Sequence, residues 1–217
     1  MLITEIFASI QGEGERAGLP TTFVRLARCP YRCTWCDSEY TFSGGTDMSL
    51  DAVLGAVRAF GPLPNVCVTG GEPLVQRRAL RELSAALLAH AALASVEIET
   101  SGGLAIWPAE DERLHWDLDV KCPGSGMQQH VVLDNLRHLR TGDELKFVLV
   151  DRADFDFARD FIHEHLQDTP ASVFVQPAWG LLEPATLVAW LREEPLPGVR
   201  LSLQLHKYIW SADKRGV

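Results

Sequence analysis

Basic residues are scarce in this sequence relative to acidic ones. Its 217 residues include 20 Lys and Arg against 29 Asp and Glu, which gives a net charge of -9 at pH 7. A surface with this charge repels a phosphate backbone. We therefore expect no nucleic-acid partner and a small-molecule substrate.

Long apolar stretches are also missing. The longest uncharged apolar run, residues 83–96, is shorter than the roughly 20 residues that a membrane-spanning helix needs, so no membrane association is expected. The amino terminus has no basic region and reaches Glu5 before any apolar run. This pattern predicts no secretory signal and a cytoplasmic location. Because repeats, linkers and low-complexity tracts are absent too, we expect one domain over residues 1–217.

Cysteine is infrequent, and the number of cysteines is odd. Five cysteines in a chain without an export signal are not the framework of a disulfide-stabilised fold. Reduced thiols in such a chain are free to bind metal.

Short β-branched or alternating runs recur along the chain and are separated by helical patterns. Strands are predicted at residues 21–27, 65–70, 95–100, 114–120, 144–150, 172–176 and 199–205, and helices at residues 50–60, 74–94, 129–139, 154–166 and 183–194. This alternation predicts an α/β fold with a parallel sheet, either doubly wound or a barrel. Residues 101–126 are the least regular, and we expect no full helix there.

Unusual residues follow the ends of these predicted strands. They include the cysteine segment after the first strand, TGGEP at residues 69–73, TSGG at residues 100–103, DVKCPGSG at residues 119–126, QPAWG at residues 176–180 and HKYIW at residues 206–210. Because the carboxyl ends of parallel strands meet on one side of the sheet, these segments are expected to share one site.

Three cysteines at spacing CxxxCxxC, Cys29, Cys33 and Cys36, allow two interpretations. A structural zinc site needs a fourth Cys or His, for which Cys67 and His90 are the nearest candidates. The other interpretation is a 4Fe–4S cluster held by three thiolates, with one iron left open to a ligand that is not protein.

This loop, with Trp35 before its last cysteine, resembles the cluster loop of the radical S-adenosylmethionine enzymes. TGGEP resembles the glycine-rich strand end of the same superfamily. The resemblance implies a 4Fe–4S cluster and S-adenosylmethionine as cofactors, with the ammonium group of the latter received near Gly71 and Glu72.

Further segments narrow the resemblance to one family. EIFASIQGEG at residues 5–14, FVRL at residues 23–26, CDSEYT at residues 36–41, ETSG at residues 99–102 and LQLHKYIW at residues 203–210 make the chain similar to the 7-carboxy-7-deazaguanine synthases. The resemblance implies ring contraction of 6-carboxy-5,6,7,8-tetrahydropterin with loss of ammonia, in queuosine or 7-deazapurine biosynthesis. It also implies an incomplete (β/α)6 barrel with some shortened crossover helices, Mg2+, a homodimer, and an electron donor such as flavodoxin or ferredoxin.

The same resemblance assigns roles to individual positions. Substrate contacts are expected at Ile10, Gln11, Gly12, Glu13, Arg25, Thr69 and His206. Contacts with S-adenosylmethionine are expected at Trp35, Asp37, Gly71, Glu72, Ser101, Asp119, Val120, Lys121, Gln176, Pro177, Ala178 and Trp179. Ser38 is expected to bind Mg2+, whereas Cys67 and Cys122 are interpreted as core and loop thiols.

Two alternatives stay open at this point. A glycyl-radical activase has the same cysteine spacing but acts on a protein partner. A zinc-stabilised binding module would need a fourth protein ligand and would be colourless.

Overall fold

A computed structural model of the protein describes residues 1–62 and 64–217, and these residues form one sheet of nine strands. The strands are β1 (Leu2–Ile10), β2 (Pro20–Leu26), β3 (Thr46–Asp47), β4 (Asn65–Gly70), β5 (Ser95–Thr100), β6 (Leu114–Asp119), β7 (Glu144–Leu149), β8 (Ser172–Pro177) and β9 (Val199–Leu201). Their order across the sheet is β3-β1-β2-β4-β5-β6-β7-β8-β9.

The parallel part of the sheet is the predicted incomplete barrel. Strands β2 and β4 to β8 are parallel, β9 adds a short parallel strand, and β1 pairs antiparallel with both β2 and β3. The first and last strands in the order, β3 and β9, do not pair with each other, so the sheet is open. The predicted bounds of β4 and β5 are confirmed. Strand β1 was not predicted.

In the part of the chain that the structure describes, five α-helices accompany the sheet: α1 (Leu50–Ala59), α2 (Arg77–Leu88), α3 (Arg152–His165), α4 (Pro184–Glu193) and α5 (Leu205–Ile209). Ser49 caps α1, since its side chain accepts a hydrogen bond from the Ala52 amide at 3.2 Å. None of the helices in the described residues is long and apolar enough to cross a membrane.

Some sequence-based bounds are wrong. Residues 129–139 form two short 3-10 helices, Gln128–His130 and Leu133–His138, instead of one α-helix. The buried Asn135 explains the difference, because its side chain bonds to the backbone of Gly102, Leu104 and Ile106 and holds the segment against that loop. The predicted helix at residues 74–94 begins as a 3-10 turn and ends at Leu88.

The last predicted strand is also shorter than expected. It stops at Leu201, and residues 205–209 form α5, whose first residue, Leu205, donates its amide hydrogen to the Gly12 carbonyl at 2.9 Å. Residues 101–126, all of which the structure describes, form no α-helix, as predicted, and contain one 3-10 turn, Pro123–Ser125.

Alternate residues of the parallel strands face opposite sides of the sheet. One side is apolar and packs against the helices, and its buried members include Val68, Ile98, Trp116, Leu118, Phe147 and Val175. The concave side instead carries Arg25, Thr69, Glu97, Glu99, Asp117, Asp119, Glu144, Lys146 and Gln176. The fold therefore places polar side chains from successive strands around one interior space.

Candidate active site

The cysteine loop leaves the sheet at the carboxyl end of β2. Arg28 starts it with a φ of 80°, and it is the one non-glycine residue with a positive φ among those described. Its amide donates to the Thr41 carbonyl at 2.6 Å, and its carbonyl accepts from the Glu72 amide at 2.8 Å. A non-glycine residue in this conformation costs on the order of 1 kcal/mol, and such strain is common at functional sites.

The three loop cysteines differ from the other two in exposure. Cys29, Cys33 and Cys36 are half-buried free thiols, whereas Cys67 and Cys122 are fully buried. Burial is the largest cause that raises the pKa of each loop thiol. Cluster binding must therefore deprotonate them, as metal ligation does.

The loop cysteines have no fourth protein ligand grouped with them. Within the residues that the structure describes, the three side chains whose ligand atoms all lie within 4.8 Å of one another are Cys67, Glu97 and Glu99, and none of the loop cysteines belongs to that group. A structural zinc site needs four protein ligands.

Glycines at the end of β4 let this strand pack directly on the cysteine loop. A Cβ at Gly70 would overlap the backbone of Leu26, and one at Gly71 would overlap the Arg28 carbonyl and lie 2.8 Å from Cys29 Cβ. The two glycines are therefore needed because the backbone of Leu26 and Arg28 lies directly against them, which leaves no room for a side chain.

Glu72 has no exposed surface, and its carboxylate is fully used inside the protein. It accepts from the Leu74 amide at 2.9 Å, from Thr100 Oγ1 at 2.9 and 3.0 Å, and from the amide of Ser101 at 2.8 Å. The Ser101 hydroxyl donates to it as well. The side chain therefore joins the ends of β4 and β5, and the predicted ammonium contact remains a prediction for the half-exposed backbone beside Gly71.

Lys121 stands next to the cysteine loop. Its Nζ lies 2.5 Å from Asp119 Oδ2 and 4.8 Å from the centre of the Trp35 ring. Burial lowers its pKa, but Asp119 and Cys33 outweigh that effect and the pKa is raised. A buried, charged lysine beside Cys33 favours the thiolate form of that ligand.

Three residues predicted to bind the cofactor have buried polar atoms without a hydrogen-bond partner in the described structure. These atoms are Trp35 Nε1, Asp119 Oδ1 and Gln176 Oε1. Buried polar atoms in proteins are nearly always paired, so these three atoms are available to a polar ligand. The donors and acceptors present fit S-adenosylmethionine next to a cluster on the loop.

The turn after β8 borders a cavity of about 280 Å³. Pro177 and Ala178 are buried, whereas Trp179 is 40% exposed and meets the Tyr208 ring edge-on at 4.9 Å. Val120, the remaining predicted cofactor residue, is buried directly after β6. This aromatic wall offers a flat surface at the edge of the site.

The segment after β1 lies over the concave side of the sheet. Gln11 donates from Nε2 to Glu97 at 2.5 Å and to Glu99 at 3.0 Å, and its Oε1 accepts from the Gly12 amide at 2.8 Å. With 3% of its surface exposed, Gln11 uses both of its side-chain N–H groups and one lone pair of its oxygen inside the protein. The structure therefore gives Gln11 a supporting position, and its substrate contact stays a prediction.

Glu13 reaches into the middle of the interior. Its carboxylate lies 2.9 Å from Lys146 Nζ and accepts from Gln176 at 3.0 Å and from Gln204 at 2.9 Å. Burial raises its pKa, but Lys146 and Gln204 outweigh burial and lower it to about 2. Glu13 is therefore an ionised carboxylate at every physiological pH.

Packing explains why both glycines of the QGEG motif, Gly12 and Gly14, have no side chain. A Cβ at Gly12 would overlap the imidazole of His206, and one at Gly14, whose φ is 67°, would overlap the Glu144 carboxylate. His206 is half-buried and lies against the predicted substrate segment, and Ile10 is the half-buried last residue of β1.

Arg25 and Thr69 are neighbours on paired strands. Their Cα atoms are register partners in the β2–β4 ladder, and Thr69 is buried. Arg25 Nε donates to Glu5 Oε1 at 2.8 Å. The predicted carboxylate-binding arginine thus lies on the same concave side as Glu13.

Ser38 and Asp37 follow the last cysteine. The Ser38 hydroxyl donates to Asp37 Oδ1 at 3.1 Å, and Asp37 Oδ2 lies 2.6 Å from Lys207 Nζ in α5. Burial raises the pKa of Asp37, but Lys207 outweighs it and the pKa is lowered. The cysteine loop is therefore tied to the helix that carries His206.

Several interior residues were missed by the sequence interpretation. They are Glu97, Glu99, Asp117, Glu144 and Lys146. Burial, together with neighbouring acidic groups, raises the pKa of Glu97 to about 8, that of Asp117 to about 8 and that of Glu144 to about 7. Acidic residues at alternate positions of VEIE and DLD were an available signal, since strands in parallel sheets are usually apolar on both sides.

Some of the predicted residues are connected to the cysteine loop by ion pairs and hydrogen bonds. Lys146 joins Glu13 to Asp119, which pairs with Lys121 beside Cys33, and the Glu72 amide bonds to Arg28 next to Cys29. The arrangement can hold a polar ligand between a thiolate loop and an acidic interior.

Known proteins resemble this chain over its whole length. The Radical SAM superfamily model matches residues 24–115. The 7-carboxy-7-deazaguanine synthase of Koribacter versatilis is 43% identical over 100% of both chains. That of Chlorobaculum tepidum is 41% identical over 99% of this chain and 96% of its own, and that of Clostridium acetobutylicum is 32% identical over 99% and 98%.

A solved structure supports the fold. The crystal structure of QueE from Escherichia coli has a TM-score of 0.68 with 23% identity and covers 94% of each chain. From the full-length relatives, together with the superfamily match, it follows that the chain belongs to the 7-carboxy-7-deazaguanine synthase family of radical S-adenosylmethionine enzymes.

Proposed function

We propose that this protein is a 7-carboxy-7-deazaguanine synthase, a radical S-adenosylmethionine lyase that converts 6-carboxy-5,6,7,8-tetrahydropterin to 7-carboxy-7-deazaguanine with loss of ammonia. The observation that carries the proposal is the connection between two sites. Lys146 lies 2.9 Å from Glu13 on the substrate segment and 3.7 Å from Asp119 beside the cysteine loop. A substrate in this interior is therefore next to the cofactor.

Cys29, Cys33 and Cys36 would hold the 4Fe–4S cluster. When bound there, the cluster and S-adenosylmethionine would supply the radical chemistry that activates the substrate. Lys121 balances thiolate charge at Cys33, and the unpaired atoms of Trp35, Asp119 and Gln176 are placed to bind and orient the polar groups of the nucleotide.

The interior suits a ligand with many N–H donors. The ionised carboxylate of Glu13 only accepts hydrogen bonds, and the aminopyrimidinone ring of a pterin presents several N–H groups that could donate to it. Arg25 has the geometry to bind the substrate carboxylate through two parallel hydrogen bonds. Thr69 and His206 border the same space.

The proposal includes Mg2+ at Ser38. A hydroxyl oxygen is a hard ligand of the kind that Mg2+ prefers, and the adjacent Asp37 carboxylate supports a cation there. Water and substrate oxygens would complete the coordination.

The proposal also includes an electron donor, a homodimer, a cytoplasmic location and a single domain. A one-electron donor such as flavodoxin or ferredoxin is supported by a cavity of about 380 Å³ next to Cys29, which Arg28 borders. Exposed Leu181, Tyr208 and Ile209 support a homodimer. Free cysteines support a reducing, cytoplasmic location and a role in queuosine or 7-deazapurine biosynthesis. One sheet built from both ends of the chain supports a single domain over residues 1–217.

The test is anaerobic incubation with S-adenosylmethionine, reductant, Mg2+ and the carboxypterin. We expect visible cluster absorption and the deazaguanine product from the wild type, and neither from Cys36→Ser. The matched control, Cys122→Ser, alters a buried thiol outside the loop and should keep its cluster absorption. Bound zinc without visible absorption would support a binding module, and radical transfer to a protein partner without pterin turnover would support an activase.

A further inference from the structure

Arg25 is held by one of its three nitrogens. Its Nε donates to Glu5 Oε1 at 2.8 Å, and its guanidinium lies 5.7 Å from the centre of the Phe7 ring. Within the described residues, neither Nη group donates a hydrogen bond to the protein. The side chain is 18% exposed and lies on the concave side of the sheet, where Arg25 is the register partner of Thr69. The two free Nη groups are therefore available to a ligand on that side.

Glu5 is held in turn from the cysteine loop. The same oxygen, Oε1, accepts from the Tyr40 hydroxyl at 2.8 Å. Tyr40 belongs to the 3-10 turn Glu39–Thr41, which begins directly after Ser38. Arg215 of the carboxyl-terminal tail lies over the Tyr40 ring at 3.8 Å and covers this contact from outside.

Glu5 therefore connects Arg25 of β2 with Tyr40 in the turn that follows the cysteine loop. It lies on the antiparallel strand β1, where its Cα is the register partner of Arg25 in β2. A guanidinium without such a partner would rotate about its side chain, and immobilising a long side chain on binding costs conformational entropy. A fixed Nε removes most of this rotation before a ligand arrives.

We propose that Glu5 is a positioning residue that orients both Nη groups of Arg25 toward the substrate carboxylate, and that Tyr40 fixes this pair relative to the cluster loop. The proposal rests on the proposed function, because it concerns how that substrate is held. Its role is not charge balance alone, since a single carboxylate oxygen serves both donors in fixed directions.

The experiment compares binding of two unreactive probes, 6-carboxypterin and unsubstituted pterin, to the cluster-loaded protein by calorimetry. The preference for the carboxylated probe is the readout, because a general loss of structure would weaken both. We expect Glu5→Ala to reduce this preference about tenfold, the size of one charge-assisted hydrogen bond. Glu5→Gln keeps an oxygen acceptor and should restore most of it, and Tyr40→Phe should reduce it by a smaller factor.

Turnover gives a second readout. The Glu5→Ala variant should raise KM more than it lowers kcat, whereas Glu82→Gln, which removes an exposed charge from a surface pair with Arg78, should match the wild type. A folded Glu5→Ala protein with an unchanged probe preference would overturn the proposal. If that variant does not fold, Tyr40→Phe decides, and an unchanged preference there overturns it equally.

These outcomes separate the inference from the function. A wild type that neither turns over the carboxypterin nor prefers the carboxylated probe would reject the proposed function. A wild type that does both, beside variants that keep the preference, would reject only the role of Glu5.

Discussion

The polar side chains of this site are of two kinds: some bond to other protein groups, and others keep atoms that are free to bind a ligand. Glu72 and Gln11 lie in motifs that indicate ligand contacts, yet protein donors and acceptors occupy their polar groups. Trp35, Asp119 and Gln176 show the opposite, because each keeps a buried polar atom unpaired. Side chains of the second kind are the ones free to recognise a cofactor.

Replacing Glu72 with Gln tests its structural role. The Gln side chain has one acceptor oxygen, so at least one of two buried backbone donors, the amide of Leu74 or that of Ser101, would lose its partner. We expect the free energy of unfolding to fall by about 1–3 kcal/mol, because an unpaired buried group costs about this much. Urea unfolding measures this change.

The control for Glu72→Gln is Glu82→Gln, which alters an exposed i,i+4 pair and should have almost no effect on stability. Equal stability of all three proteins would show that the Glu72 carboxylate does not hold the strand ends together.

Ser38→Ala tests the magnesium proposal. The change removes the hydroxyl that lies 3.1 Å from Asp37 and leaves the cysteine ligands in place. We expect Mg2+ to stimulate turnover in the wild type and to have little effect on the variant, as measured by rate against metal concentration. A variant with unaltered metal dependence would remove Ser38 from the Mg2+ site.

At the level of elements, the segment between β1 and β2 is shaped by contacts with distant strands. Glu144 of β7 accepts from the Glu15 amide at 2.9 Å and lies 3.0 Å from Arg16, and Gly14 passes directly against it. This contact explains why the second glycine of QGEG is needed. The segment's conformation is therefore set by β7 as well as by hydrogen bonds among its own residues, such as that from the Gln11 amide to the Leu19 carbonyl at 2.8 Å.

Two glycines in this segment allow a matched comparison. Gly14 and Gly18 both have positive φ, at 67° and 89°, but only a Cβ at Gly14 would meet another group. Gly18→Ala should cost about 1–2 kcal/mol from backbone conformation alone. Gly14→Ala should cost about 1–3 kcal/mol more, because Glu144 must move.

The free energy of unfolding of both glycine variants can be measured in urea. Equal losses would show that Glu144 adapts freely and does not fix the segment.

At the scale of the whole molecule, the open barrel encloses an excess of carboxylates. Lys146 and Arg16 are the cations that pair with Glu13, Glu97, Asp117 and Glu144. The pKa values of Glu97 and Asp117 are raised to about 8 because burial and like charges oppose ionisation. The interior is thus rich in hydrogen-bond acceptors for N–H groups, but it disfavours the simultaneous ionisation of all its carboxyl groups.

This charge distribution predicts falling stability as pH rises from 6.5 to 8. In that range the folded state keeps protons on Glu97 and Asp117 that the unfolded state, with ordinary values of 4.5 and 3.8, has already released. His115, whose pKa is lowered to about 4 by burial and nearby arginines, opposes this trend only below its ordinary value of 6.5. Thermal unfolding across this range measures the slope.

The Glu97→Gln variant isolates one contributor to that slope. Its amide resembles the protonated acid and still accepts from Gln11, so the variant should lose less stability than the wild type as pH rises to 8. Glu82→Gln serves as the control and should follow the wild type. Parallel curves for Glu97→Gln and the wild type would contradict protonation of Glu97.

The amino-acid sequence alone was sufficient for the cluster loop, the family and most of the parallel strands. Cysteine spacing around Cys29 and Cys36 is a local property, and the bounds of β4 and β5 follow from short β-branched runs that end in TGG and TSG. Such features depend on residues that are close in the chain, so no tertiary information is needed to recognise them.

Only the tertiary structure decided which polar groups meet. The antiparallel position of β1, the 3-10 turns around Asn135, the supporting role of Gln11 and the link from Arg25 through Glu5 to Tyr40 all depend on partners far away in the chain. The physical reason is that the concave side is assembled from alternate residues of separate strands, and their neighbours exist only once the strand order and register are set.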